Sequence, residues 1–258
     1  MIEIVVGIFA TILGAVFASF FGVIISRVPK HKSIITPPSH CDTCGHELSW
    51  YENIPIFSYI FLGGKCKTCK GRISPFSLIY EIIGALSILL LYLQYKLTYE
   101  FLFLSVIVLL LLLIAGYDYY TNEILDIFWI LLLIVSIGLG VYRVIVLNHN
   151  IFDYLIGGGI LLLFFLLIKL LSYLIFKKDG LGTGDVIFMA VSGLIIGYKT
   201  ILITLLVAGV IGSVIELTLI ATKKKDRESM IPFLPYLSLG VYVSILYGNT
   251  IVNFIFGA

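Results

Sequence analysis

Long runs of hydrophobic residues alternate with short polar connections along most of the chain. The runs are about 20 residues long, which is the length that an α-helix needs to cross a hydrocarbon core of about 30 Å. The pattern predicts an all-α polytopic membrane protein with about eight transmembrane helices, the sixth of them short for a complete crossing. The predicted spans are residues 4–26, 76–95, 99–117, 124–147, 151–176, 184–197, 199–221 and 231–256.

The composition agrees with a membrane protein. Of the 258 residues, 60% are hydrophobic and only 12% are charged, and the mean hydropathy is +1.11. A soluble domain has about 25% charged residues, so the soluble class is excluded. The net charge of +2 is too small to indicate a nucleic-acid partner, and the lipid bilayer is the expected surrounding.

The placement of the basic residues predicts the orientation. Three connections, within residues 27–75, 177–183 and 222–230, hold 13 of the 17 Lys and Arg residues. Connections rich in Lys and Arg stay in the cytoplasm. The amino terminus is therefore expected outside, and the 27–75 connection inside.

Residues 28–75 form the one sizeable polar segment and contain two Cys-x-x-Cys pairs, CDTC and CKTC, separated by 21 residues. Two such pairs at this spacing are typical of zinc knuckles that share one tetrahedral ion. Gly45 and Gly71 follow the pairs closely and suit tight turns. Disulfides are the alternative, although a reducing cytoplasm disfavours them. His40 and His46 are spare ligands or solvated neighbours. The expected ligands are Cys41, Cys44, Cys66 and Cys69.

Two aspartates lie at span edges that the topology brings to one face of the bilayer. Asp118 ends the third span, and Asp185 begins the sixth, 67 positions later. Gly182 and Gly184 precede Asp185 and allow its backbone to approach another element. Two carboxylates at one partly desolvated site share a proton, which lets one activate water while the other protonates a leaving amine. Helix capping is the alternative interpretation. Glu81 and Glu216, inside other spans, have no obvious partner.

The chain resembles a known family, the type IV prepilin peptidases, which belong to the GxGD membrane aspartic peptidases. The resemblance begins at ASFFGVIISRVP (18–29), runs through the cysteine segment with WYENIP, and ends in GTGD. It implies that Asp118 and Asp185 are catalytic. Asp126 keeps the family's spacing from Asp118, but Leu125 stands where proline is usual.

The resemblance also implies the reaction. Such enzymes remove a short basic leader from type IV prepilin or pseudopilin precursors at the cytoplasmic face of the bacterial plasma membrane, and cleavage follows a glycine. Many then methylate the new amino terminus with S-adenosyl-L-methionine. The chain departs from the family at Gly22 (usually asparagine), at Ile187 (usually lysine) and in ISPFSLIYE (73–81), and these departures bear on methyl transfer rather than on the aspartates.

The resulting organisation has three parts: a first span (1–27), a cytoplasmic zinc-binding loop associated with methyl transfer (28–75), and a transmembrane peptidase core (76–258). Two other classes compete with a peptidase. A transporter or ion pathway would use the intramembrane acids as relays. A zinc-bearing scaffold would use the aspartates only as helix caps.

Overall fold

A computed structural model describes residues 1–177, 181–222 and 232–256, and within them it is helical with no β-strand longer than an isolated bridge. Seven of the helices are long and apolar enough to cross a membrane, and an eighth apolar helix is shorter. Polar residues in the connections separate them. The helices are α1 (Ile2–Arg27), α2 (Phe57–Phe61), α3 (Pro75–Tyr95), α4 (Tyr99–Thr121), α5 (Asp126–Ile145), α6 (Ile151–Phe176), α7 (Thr183–Ile196), α8 (Ile201–Ala221) and α9 (Leu234–Phe256).

The predicted spans correspond to these helices within a few residues. The sixth is the short one, because α7 has 14 residues and ends at Gly197, whose φ of 72° is a left-handed conformation that glycine adopts without strain. A 3₁₀ turn at Tyr198–Thr200 then leads directly into α8. The predicted start of the last span at residue 231 lies outside the described residues.

The chain divides into two compact units, Met1–Leu97 and Thr98–Ala258. In the first unit α1 packs along α3. The contact is close because small residues face the partner helix: a Cβ on Gly14 would lie 2.6 Å from the carbonyl oxygen of Gly84. Small residues at such a position let two membrane helices approach without a hydrophobic driving force. The polar segment between α1 and α3 belongs to the same unit.

In the second unit two features fix the short helix α7. Its middle packs against α6 at glycines, and a Cβ on Gly157 would lie 2.6 Å from the carbonyl oxygen of Gly193. Its last turn is bound by Arg143 of α5, whose Nη1 donates to the carbonyl oxygen of Ile195 at 2.6 Å. Glu100 of α4 neutralises this buried guanidinium at 2.7 Å. The pairing matters because an unpaired charge would be costly in this apolar surrounding.

Candidate active site and metal centre

Asp118 lies in the last turn of α4 and is buried, with 6% of its surface exposed. Its Oδ2 accepts a hydrogen bond of 3.0 Å from the backbone N–H of Leu234, the first residue of α9. The first N–H groups of a helix have no partner inside that helix. Asp118 therefore caps α9, and the same bond fixes the direction of its carboxylate.

Asp185 lies in the first turn of α7 and is half-buried. Gly184 brings this turn against the α4–α5 connection, because any Cβ at position 184 would overlap the Ile124 side chain. At Gly182 a Cβ would stand 3.3 Å from Asp185 Oδ2. Both glycines thus leave room that a side chain would fill, one for the neighbouring connection and one for the carboxylate.

Asp118 and Asp185 line the same cavity, of about 1000 Å³. The cavity is polar at the helix ends, where Asn122 and Glu123 join the two aspartates, and apolar along its walls. Most of the apolar wall residues come from α6, α8 and the stretch from residue 233 into α9, namely Phe164, Phe165, Ile168, Leu205, Ala208, Phe233 and Leu237. The second unit therefore combines a carboxylate pair with a groove suited to a hydrophobic ligand.

Asp126 has a different position. It begins α5, its side chain is exposed, and its Oδ1 accepts a hydrogen bond of 3.0 Å from Trp129 Nε1. It does not occur among the described residues that line the cavity. Lys169 of α6, by contrast, is close enough to Asp185 for an electrostatic interaction. Lys169 falls inside the predicted span 151–176, and its spacing of 16 residues from Asp185 gives no local signal of this approach.

The acids without an obvious partner in the sequence both have one. Glu216 of α8 accepts a hydrogen bond of 2.8 Å from the hydroxyl of Tyr236 in α9. Glu81 of α3 accepts one of 2.7 Å from the backbone N–H of Ile56. Neither acid lines the cavity of the two aspartates.

The four cysteines of the first unit converge, with all four Sγ atoms within 4.8 Å of one another. Across the two pairs, Cys41 and Cys69 are 3.8 Å apart and Cys44 and Cys66 are 4.0 Å apart. A tetrahedral zinc ion with Zn–S bonds of about 2.3 Å requires sulfur–sulfur edges of about 3.8 Å. A disulfide would need about 2.05 Å, and all four cysteines are free thiols. The geometry fits a metal and not disulfides.

The two knuckles have the same backbone geometry. In each, the first cysteine N–H donates to the carbonyl five residues on, at 2.9 Å for Cys41 and 2.8 Å for Cys66. The left-handed residue is Gly45 (φ 72°) in the first knuckle and Lys70 (φ 58°) in the second. The expectation that Gly71 makes the second turn is therefore wrong. A Cβ at Gly71 would lie 3.2 Å from Thr43 Oγ1, so this glycine instead permits close approach of the two knuckles.

The surroundings of the cluster affect its thiols differently. Backbone N–H groups of Cys44 and Thr43 lower the pKa of the Cys41 thiol to about 6, so this cysteine favours the thiolate that metals bind. At Cys44 the bond from the His46 backbone N–H is outweighed by desolvation and by hydrogen bonds with the other three thiols, which raise the pKa of Cys44 to about 11. The two histidines are engaged elsewhere: His40 Nδ1 lies 2.9 Å from the carbonyl oxygen of Pro38, and His46 Nε2 lies 3.4 Å from Glu52 Oε2. Cysteine thiolates are thus the available ligands, and four of them complete a tetrahedron.

Comparison with known proteins relates both units to described families. A family model described as the bacterial peptidase A24 N-terminal domain matches residues 12–95, and one described as the type IV leader peptidase family matches residues 105–217. No solved structure matches the chain significantly.

Curated relatives named prepilin leader peptidase/N-methyltransferase match most of the chain. The protein of Myxococcus xanthus is 34% identical over 83% of this chain, which spans 64% of that relative's length. The protein of Pseudomonas putida is 27% identical, covering 94% of this chain and 91% of the relative. The protein of Bacillus subtilis is 29% identical, covering 94% and 95%.

Proposed function

Because the chain belongs to the type IV leader peptidase family, we propose that it is a membrane aspartic endopeptidase that cleaves the basic leader of type IV prepilin-like precursors and then N-methylates the new amino terminus. The observation that carries the proposal is the single cavity lined by Asp118 and Asp185. Its apolar walls suit the hydrophobic helix of such a precursor, and its carboxylates suit hydrolysis of the peptide bond.

In the proposed mechanism the two aspartates share one proton. The ionised carboxylate removes a proton from a water molecule, which attacks the scissile carbonyl carbon, while the protonated carboxyl donates its proton to the carbonyl oxygen. The carbon–nitrogen bond then breaks, and the leaving amine takes the proton that the first carboxylate accepted. As the carbonyl re-forms, its hydroxyl returns a proton to the second carboxylate, which restores the pair. Because the pair titrates as a unit, the roles belong to the dyad rather than to either residue.

Three further residues support the dyad in this proposal. Gly184 allows the first turn of α7 to lie against Ile124, and Gly182 leaves space beside the Asp185 carboxylate. Asp126 supports the site indirectly. It does not line the cavity, and its hydrogen bond with Trp129 fixes the start of α5.

For the first unit we propose that Cys41, Cys44, Cys66 and Cys69 hold a structural zinc ion. Four thiolates leave no open coordination position, so the metal would organise the loop and would not bind substrate. Methyl transfer belongs to this unit in the proposal, and S-adenosyl-L-methionine, when bound, would supply the methyl group that the new amino terminus accepts.

The domain assignment in this proposal keeps the cysteine loop, residues 28–75, as the part associated with methyl transfer and the aspartates within the core at 76–258. The division at Leu97 adds a detail, since α3 packs with the loop and α1 in the first compact unit. Matches of separate family models to residues 12–95 and 105–217 support a functional boundary near this division.

We place the protein in a bacterial plasma membrane, with its amino terminus outside and the aspartate cavity toward the cytoplasm. The support is the distribution of basic residues, of which Arg27 ends α1 and Lys30 and Lys32 come shortly after it. Lys178, Lys223, Lys224, Lys225 and Arg227, which also entered that count, lie outside the described residues. A basic leader would remain on the cytoplasmic side for the same electrostatic reason.

A purified protein in detergent, given a precursor with a basic leader ending in glycine before a hydrophobic helix, tests the proposal. We expect cleavage after the glycine and, with S-adenosyl-L-methionine present, a methylated product amino terminus by mass spectrometry. A precursor in which that glycine is replaced should stay intact. Failure of the parent protein to cleave the first precursor would contradict the peptidase assignment. No observation favours an ion pathway, since Glu81 and Glu216 are bonded outside the cavity.

A further inference from the structure

The stretch Trp50–Phe61, which we call the aromatic segment, carries apolar side chains that the first unit does not bury. Trp50 is 79% exposed, Phe57 57%, Ile60 61% and Phe61 83%. A contiguous exposed apolar surface of this kind marks a contact with another protein or with lipid. The segment follows the first knuckle directly, in a part of the chain whose sequence predicts only a polar loop.

A hydrogen bond locates the segment along α3. Glu81 Oε2 accepts from the backbone N–H of Ile56 at 2.7 Å, and Glu81 is 8% exposed. Glu81 lies six residues after Pro75, which is about 9 Å along the helix axis. Since α3 has 21 residues and measures about 31 Å, it just spans a hydrocarbon core of about 30 Å. The Ile56 backbone therefore lies deeper in the bilayer than Pro75, the first residue of α3.

An apolar cavity of about 680 Å³ gives a second indication of the depth of the segment. Ile54, Pro55, Ile56 and Phe57 form part of its wall, together with residues of α1 and α3 that lie near the middle of those helices, such as Ala85. Ala85 is ten residues from Pro75, or about 15 Å. The apolar wall that α1 and α3 form near their middle thus continues into the aromatic segment.

Backbone N–H groups of the segment have hydrogen-bond partners within the protein, as an apolar environment requires. Ser58, Ile60 and Leu62 donate their N–H groups to the carbonyls of Ile54, Ile56 and Ser58, and Phe57 donates to Pro55. Glu81 satisfies the N–H of Ile56, a β-branched residue held at φ 65°. Non-helical backbone is tolerated at membrane depth only when protein groups satisfy it. The unusual conformation of Ile56 persists because the buried carboxylate holds it.

We propose that residues 54–61 of the aromatic segment form a re-entrant element that inserts into the lipid bilayer beside α1 and α3, with Glu81 as its anchor, while Trp50–Asn53 stays at the membrane surface. The occupant of its exposed face is the acyl region of the membrane, in continuity with the lipid-facing sides of the two helices. The cysteine knuckles that flank it are consequently held at the membrane surface and do not form a freely moving soluble domain.

Fluorescence quenching by lipids tests this insertion. In a background with Trp50→Phe and Trp129→Phe, which removes both tryptophans of the chain, Phe57→Trp places one indole in the segment. Ile35→Trp, at an exposed apolar position before the first knuckle (80% exposed), is the matched control. Both proteins are reconstituted in phosphatidylcholine vesicles brominated on the acyl chains. We expect loss of most F57W emission to brominated lipid and little loss to aqueous iodide, with the opposite result for I35W.

Quenching of F57W by iodide to the same extent as I35W, with no loss to brominated lipid, would overturn the proposal. The anchor has its own test in the same background. Glu81→Gln retains a carbonyl oxygen that can accept from Ile56 N–H, whereas Glu81→Ala removes it. We expect the F57W indole to remain protected in the first and to become accessible to iodide in the second. If Glu81→Ala does not fold, the comparison of F57W with I35W still decides.

Discussion

The two units of this protein each bring together residues that are distant in sequence, but by different means. In the first unit the four thiols belong to two similar short turns within one connection, and they close a tetrahedron among themselves. In the second unit Asp118 and Asp185 end and begin separate helices and leave an open cavity between them. The cysteine site has no room for a substrate and is suited to a structural metal. The aspartate site keeps an open cavity and is suited to binding a substrate.

The largest expected effect concerns the open site. Asp118→Asn or Asp185→Asn should reduce leader cleavage by at least about 100-fold, because either change removes a proton-transfer group from the dyad. Asn keeps an oxygen that can accept the Leu234 N–H, so the cap on α9 is retained. Rates are measured with the purified precursor. Asp126→Asn, outside the cavity, is the control and should cause a much smaller loss; equal losses in all three variants would place the chemistry elsewhere.

The next effect concerns the closed site. Cys66→Ser should abolish stoichiometric zinc binding, because three thiolates and a hydroxyl bind the ion far more weakly than four thiolates. Elemental analysis of anaerobically purified protein measures it, with about one zinc per chain expected in the parent. His40→Gln should keep the metal, since His40 bonds to the Pro38 carbonyl. A full zinc content in Cys66→Ser would contradict the assignment.

A smaller effect should follow from packing at the edge of the open site. Gly184→Ala places a methyl group against Ile124, and overpacking of this kind costs about 1–3 kcal/mol. The thermal midpoint in detergent and the cleavage rate should both fall. Gly159→Ala on α6 meets no atom within 4 Å and serves as the matched control. Adding Ile124→Ala to Gly184→Ala should restore much of the loss, and absence of any rescue would disprove the contact as its cause.

The smallest effect is a pH dependence in the cysteine loop. Glu52 accepts the N–H of Ser49 at 2.9 Å, and this bond, with His46 nearby, lowers the pKa of Glu52 below its ordinary value of about 4.3. A lowered folded-state pKa stabilises the loop above pH 4.3 or so, and the contribution disappears as the pH falls through the folded pKa.

Limited proteolysis of the loop measures this difference. Glu52→Gln should be cleaved faster than the parent near neutral pH, and the two rates should converge as the pH falls below about 4. Comparing the two proteins at each pH removes the effect of metal release, which both share. A constant ratio of rates across this range would show that the Glu52 charge does not stabilise the loop.

The closed site could be predicted from sequence because its geometry is local. The spacing within and between the two Cys-x-x-Cys pairs is sufficient to bring four sulfurs together once each pair forms its turn. Even here one detail was wrong, because Lys70 and not Gly71 adopts the left-handed conformation. The register explains it, because Lys70, like Gly45, directly follows the second cysteine of its pair, whereas Gly71 is one residue further on and permits the contact with Thr43.

The open site could be predicted only in part. Hydrophobic run lengths and alternating connections predict that Asp118 and Asp185 approach the same face. They do not predict that Asp118 caps α9 at Leu234, that Ile124 packs on Gly184, or that Lys169 lies near Asp185. Those contacts depend on how helices rotate and pack, which the sequence period does not determine. For the same reason the sequence does not predict the partner of Glu81. A polar connection gives no sign that its residue Ile56 packs back against α3.

The central claim is that cleavage and methylation belong to separate units, and one reaction tests it directly. The parent protein, Asp118→Asn and Cys66→Ser are each given precursor and S-adenosyl-L-methionine, and the product amino termini are determined by mass spectrometry. We expect cleaved and methylated product from the parent, intact precursor from Asp118→Asn, and cleaved but unmethylated product from Cys66→Ser. Cleavage by Asp118→Asn at the parent's rate, or loss of cleavage in a folded Cys66→Ser protein as complete as that in Asp118→Asn, would contradict the account.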